Sequence, residues 1–188
     1  MRDAAKLLKG AFAVAALLAV GVSGETNKTE VAMVLTSGAF ANGGVIPQLY
    51  TGEGRDVSPP LAWSGVPAAT RSLVLIVDDP DAPDPRAPKM TWVHWVLYNL
   101  PPASVGLAEG VKTADLPAGT LEGVNDWRRK GYGGPMPPVG RHRYFHKLYA
   151  LDIALPDLGA PNKARIESAM AGHVLAKAEL IGTYQCGR

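Results

Sequence analysis

A mainly β, antiparallel fold with a few peripheral helices is what this sequence predicts, on three observations. Apolar, β-branched runs of strand length recur along the chain. Gly- and Pro-rich segments separate them, and proline cannot extend a sheet. Helical spacing is confined to one stretch near the C-terminus, so the strand–helix alternation of a parallel sheet is missing.

The elements follow in order. "MRDAAKLLKG" places Arg2, Lys6 and Lys9 before the apolar run "AFAVAALLAV", and "GVSGE" then supplies small residues. This is the order of a secretory signal peptide, read here as residues 1–24 with cleavage near Gly24. The apolar run is shorter than the about 20 residues that a membrane span needs. A single domain over 25–188 is expected to follow, in a periplasmic or secreted setting. "VAMVLTS" (31–37) reads as a first strand, and the turn-rich stretch after it holds Pro59 and Pro60. "RSLVLIVDD" (71–79) is nearly all apolar, as in a strand covered on both faces. "TWVHWVLYNL" (91–100) puts Trp92, His94, Val96 and Tyr98 on one face by simple alternation. A long connection leads to "HRYFHKLYALDIAL" (142–155), where His142, Tyr144 and His146 share a face. The last element, 162–182, reads as a helix from the spacing of Ile166, Met170, Val174 and Leu175. Asn162 would be its N-cap and Gly182 its C′ residue, and His173 would pack on it.

Bulk properties exclude several functions. The chain has 19 basic and 17 acidic side chains; Arg2, Lys6, Lys9 and Asp3 leave with the leader, so the remainder is balanced. Broad attraction to nucleic acid or an anionic membrane is not expected. The single cysteine, Cys186, permits no internal disulfide and reads as a surface thiol near the chain end. No G-x-S-x-G elbow and no calcium-loop spacing occur, so no enzyme, metal or other cofactor is expected; a weak hydrolase, run by paired histidines and carboxylates, is the lesser alternative.

Three segments place polar groups at the ends of apolar strands. "VDDPDAPDPRAP" (77–88) crowds four aspartates onto a rigid proline loop, where like charges need an answering partner. "TWVHW" follows, and then "GYGGPMPPVGRHRY" (131–144), whose glycines let backbone approach a ligand and whose histidine and tyrosine add directed hydrogen-bonding groups. Asp78 and Asp84 read as ordinary turn residues, His146 as buried structure and Arg143 as a brace that ion-pairs with loops. Arg128, Arg129 and Lys130 read as solvated surface.

"SPPLAWSGVPAATRSLVLIVDDPDAP", "TWVHWVLYNLP", "GYGGPMPPVGRHRYFHKLYALD" and "MAGHVLAKAELIGTYQ" together resemble the phosphatidylethanolamine-binding protein family, in its bacterial branch related to Raf kinase inhibitor protein. The resemblance covers the whole chain after the leader. It implies an antiparallel β-sandwich-like core with a small anion pocket at one end. It places Asp79 and Asp81 in the family's D-P-D-x-P loop, Trp92 and His94 in its W-x-H strand, Gly134 and Pro135 at its G-P step, and His142 and Tyr144 in its H-R-Y element. The implied ligand is a small anion, phosphate or a phospholipid head group such as phosphorylethanolamine. An aspartate beside His94 or His142 would fix its tautomer and raise its pKa, so that it donates to an anion. The resemblance also allows a protein target, a protease or a kinase, engaged through the loop surface, and a homodimer. Bacterial relatives often carry Cys where this chain has Met136, so any role tied to that thiol is absent here.

Overall fold

The computed structural model describes residues 32–187. The expected leader, residues 1–24, lies outside the described residues. Among the described residues, eight strands and one α-helix occur in the order β1 (Val34–Thr36), β2 (Leu61–Ser64), β3 (Ser72–Asp79), β4 (Trp92–Leu100), β5 (Gly106–Leu107), β6 (Leu121–Glu122), β7 (His142–Leu151), α1 (Lys163–Ala169) and β8 (Val174–Tyr184). They form a five-stranded sheet, β6-β4-β3-β7-β8, and a three-stranded sheet, β1-β2-β5, with every strand pairing antiparallel.

The largely apolar β3 lies at the centre of the larger sheet and is buried along its whole length, as expected of a strand covered on both sides. One core joins the two sheets, with Leu35, Leu61 and Trp63 meeting Leu73, Trp95, Leu148 and Leu180. A second core on the opposite face packs Val74, Ile76, Val96 and Tyr98 under Ile166 and Met170.

Two expectations need correction. The C-terminal helix is one short element; a turn follows it, and 174–182 belongs to β8. Asn162 does cap the helix, its side chain accepting from the Arg165 amide at 3.0 Å. The helix stops before Gly172, which sits at φ +81. Beyond that, Ala178, Leu180, Gly182 and Tyr184 are buried at every second position, the period of a strand. Gly182 therefore caps nothing; it packs within the sheet. His173 is exposed in the intervening turn and pairs with Asp152 at 2.9 Å.

The second correction concerns β4, where simple alternation fails. One step along β3, from Val77 to Asp78, spans two steps on β4, from Trp95 to Val93. His94 is the extra residue of a β-bulge. Past it the faces exchange, so Val96 and Tyr98 enter the second core while Trp92 and His94 face a cavity. A second irregularity near the other end puts Asn99 at φ +58, held by hydrogen bonds to the backbone of Leu155.

Candidate functional site

The antiparallel register gathers the end of β3, the start of β4, the start of β7 and the end of β8 at one edge. Asp79 lies opposite Trp92, Asp78 opposite Phe145, and His142 opposite Tyr184. A cavity of about 610 Å³ opens there. Asp79, Trp92, His94, His142 and Tyr144 line it, five of the eight residues that sequence reasoning selected.

The deep side is organised by Asp79. Its Oδ2 lies 2.7 Å from His142 Nδ1, and its Oδ1 accepts the Asp81 amide at 2.8 Å. His142 Nε2 lies 3.0 Å from the Val139 carbonyl oxygen. Both nitrogens of this fully buried ring therefore face acceptors inside the protein. This corrects the expectation that His142 donates to an anion, because neither nitrogen is left over. Burial pushes the Asp79 carboxyl above the usual range, opposed by the hydrogen bonds from His142 and the Asp81 amide.

His94 also departs from expectation. No aspartate orients it; its Nδ1 donates to the Gly133 carbonyl at 2.6 Å, and the Gly133 amide returns a bond to the His94 carbonyl at 3.0 Å. That leaves Nε2 as a lone pair in the neutral ring. Burial lowers the ring's pKa to about 4, the Gly133 carbonyl opposing it. His94 is thus an acceptor at neutral pH. Its ring stands edge-on to Tyr144 and Trp127, each with centroids 5.2 Å away. The Tyr144 phenol is raised by burial first and by Asp79 second, so it stays protonated and offers a donor.

Asp81, Gly134 and Pro135 lie outside the cavity lining. Asp81 is buried under Arg143, receiving its backbone N–H at 2.9 Å and its guanidinium at 2.9 and 2.7 Å. That bidentate bond holds the carboxyl below its ordinary range, and it is the bracing role expected of Arg143. The Gly134 amide turns to Asp56 Oδ1, and a Cβ there would lie 2.6 Å from the Tyr50 carbonyl oxygen, so the glycine serves close packing. The Pro135 carbonyl accepts the Gly52 amide at 2.9 Å. The same loop instead supplies Met136, Pro137 and Pro138 to the wall.

Sequence reasoning missed Glu53, Met90, Trp127, Met136 and Cys186 as wall residues. A tryptophan inside the charged run "NDWRRKG" was the one available signal. Trp127 is 42% exposed yet meets Trp92 edge-on at 5.4 Å. Cys186 is half-buried and packs against the core, and its thiol is pushed up by burial and then by Glu53. Among the described residues, no group of three or more His, Cys, Asp or Glu side chains is placed to hold a metal ion.

A two-sheet antiparallel frame with one open, aromatic-walled cavity at its strand ends defines a binding protein. The chain belongs to the phosphatidylethanolamine-binding protein family, whose model matches residues 36–185. It is 49% identical to a UPF0098 protein of Methanothermobacter thermautotrophicus over 156 residues, 82% of this chain and 100% of that protein. Among solved structures it is similar to a phosphatidylethanolamine-binding protein homologue of Chlamydia trachomatis, with TM-score 0.76 and 44% identity, covering 83% of this chain and 99% of that one. It is also similar to Escherichia coli YbcL, described as a member of the mammalian family, with TM-score 0.74 and 30% identity over 82% of this chain and 99% of that one.

Proposed function

We propose that this chain is an exported binding protein whose cavity holds a phosphorylethanolamine-type head group without turning it over. One observation carries the reading. Trp92 Nε1, His94 Nε2 and Tyr144 Oη are buried polar atoms without a partner, and all three belong to residues that line this cavity. Each such atom costs roughly 1–3 kcal/mol, so three together are retained where a ligand answers them.

The chemistry of the wall supports the class of ligand. Two orphan donors, an indole N–H and a phenol O–H, suit phosphoryl oxygens, and the His94 lone pair suits the P–OH of a monoprotonated phosphate. Among the described residues no Lys or Arg lines the cavity, so neutral donors there hold the anion. At the mouth, the faces of Trp92 and Trp127 and the Glu53 carboxylate suit an ammonium end. Export is supported by the leader pattern alone.

Calorimetric titration with inorganic phosphate and with phosphorylethanolamine tests the reading. Both ligands are expected to saturate one site, phosphorylethanolamine more tightly. Tyr144→Phe removes one donor and is expected to weaken both about tenfold, which is about 1.4 kcal/mol. Equal binding by wild type and Tyr144→Phe, or none by either, overturns it. Affinity is expected to fall between about pH 6 and about pH 8, because a phosphate monoester loses its last proton near pH 6. His94, with its pKa near 4, is already neutral across that interval and contributes nothing to the change.

A further inference from the structure

A second cavity, about 310 Å³, lies away from the strand-end site, between the 56–58 segment, β4, the 110–116 segment, β6 and the 129–132 segment. It shares no lining residue with the first. Two of its lining residues carry the same mark of unmet demand. Ser58 is 2% exposed and Trp95 1% exposed, and neither Ser58 Oγ nor Trp95 Nε1 has a hydrogen-bond partner. Glu122, from β6, is the third buried polar member. Its Oε2 accepts the Thr113 hydroxyl at 2.6 Å, and among the described residues no Lys, Arg or His forms an ion pair with it. A carboxylate drawn out of water without a cation is costly, and so is an indole N–H without an acceptor. Charged side chains complete its polar lining: Lys112 and Arg129, both exposed, and Asp56, whose Oδ2 lies 3.4 Å from the Arg129 guanidinium.

We infer that this cavity is a second ligand site, for a small zwitterion of the free α-amino-acid class. The ligand's ammonium answers Glu122, and its carboxylate answers the Ser58 hydroxyl and the Trp95 indole N–H, with Lys112 adding positive potential while Arg129 is engaged by Asp56. A simple anion fits badly, because Glu122 opposes it. A simple cation leaves both donors unmet. The compact volume admits a small amino acid and not a lipid chain.

The test follows the Trp95 indole N–H in nitrogen-15 NMR spectra of the chain after leader removal, assigned by its loss in Trp95→Phe. Titration with L-alanine at millimolar concentrations is expected to shift this resonance saturably. Glu122→Gln keeps an acceptor for Thr113 and removes the charge, and it is expected to raise the alanine Kd about tenfold. Ser58→Ala is expected to raise it several-fold, and it carries the test if Glu122→Gln fails to give a folded spectrum. Tyr144→Phe, in the other cavity, is expected to leave alanine binding unchanged. An indole resonance that does not move with L-alanine overturns the inference. So does an unchanged Kd in Ser58→Ala, or a shift produced equally by inorganic phosphate.

Discussion

Asp78, Asp79 and Asp81 stand within four positions of one another and do three different things. Asp79 holds His142 at the back of the cavity. Asp81 anchors the loop to β7 through Arg143. Asp78 is fully buried and holds two ammonium groups, Lys147 at 2.7 Å and Lys163 at 2.6 Å. The reading of Asp78 as a turn residue is therefore corrected, since β3 runs on through Asp79 and carries Asp78 to the face under α1. Lys163 lies 85 residues further along the chain, and no local pattern announces such a partner. Asp84 is the turn residue it was expected to be, accepting the Arg86 amide at 3.0 Å. Asp78→Asn is expected to cost about 3 kcal/mol in urea unfolding, because two ammonium groups then share a neutral amide. Arg143→Ala is expected to cost less, about 1–2 kcal/mol. Its guanidinium is half-exposed, and Asp81 keeps the backbone N–H. If Asp78→Asn proves the milder of the two, the ordering by burial fails.

At the level of elements, four strands were legible, whereas β2, β5 and β6 lie in stretches that read as turns or connections and β8 in one that read as a helix. β3, β4 and β7 were all visible as apolar or alternating runs, because a two-sided or one-sided core imposes those patterns directly. The bulge at His94 left no mark in the residue types, since an inserted position in a strand is fixed by pairing and not by propensity. The C-terminal error arose where a short helix runs into a strand. Val174 and Leu175 happen to continue the spacing of Ile166 and Met170, yet both are exposed and pack no helical face. The signal that could have separated them was the two-residue period from Ala178 to Tyr184. Of the candidate site, the strand-borne residues were recovered, whereas the walls from Glu53, Met90, Trp127 and Cys186 were not, because loops and a chain end reach the cavity through tertiary packing. Gly182 gives a test of the element itself. A Cβ on it would lie 2.4 Å from Ile46 Cγ1 and 2.9 Å from a ring carbon of Phe40, where the 43–46 segment docks on β8. Gly182→Ala is expected to destabilise by roughly 1–3 kcal/mol through overpacking and to speed amide exchange at Gly43 and Ile46. Unchanged exchange at those two amides would contradict the docking.

For the molecule as a whole, the buried histidines set how it responds to acid. His94 and His146 are both nearly sealed from water, and burial lowers each from 6.5 to about 4. His146 makes no well-formed hydrogen bond from either ring nitrogen, although the Tyr144 and Leu180 backbone opposes the effect of burial on it, and it rests against Phe40, so it is the buried structural residue expected from its place on β7. The sign follows from proton counts. Between about pH 6.5 and about pH 4 the unfolded chain binds protons on these rings and the folded chain does not, so stability falls as the pH falls. Each ring contributes roughly 3 kcal/mol across that interval, at about 1.4 kcal/mol per pH unit of difference. Asp79 acts in the opposite direction. Its raised carboxyl takes up a proton in the folded state before it does in the unfolded chain, which offsets part of the loss. Asp81, held low by Arg143, adds its own loss only once the pH drops below the ordinary carboxylate range. Urea unfolding at a series of pH values is therefore expected to show a shallow plateau above neutrality and a steady decline through the histidine interval. His146→Phe removes one of the two protonation sites and keeps an aromatic ring against Phe40. It is expected to roughly halve the slope of that decline, with stability at neutral pH unchanged or raised, since an unpartnered imidazole is exchanged for an apolar ring. An equally steep decline in His146→Phe would mean that the folded protein protonates His146 as readily as the unfolded chain does, and the acid response would then have to come from His94 and the carboxylates alone.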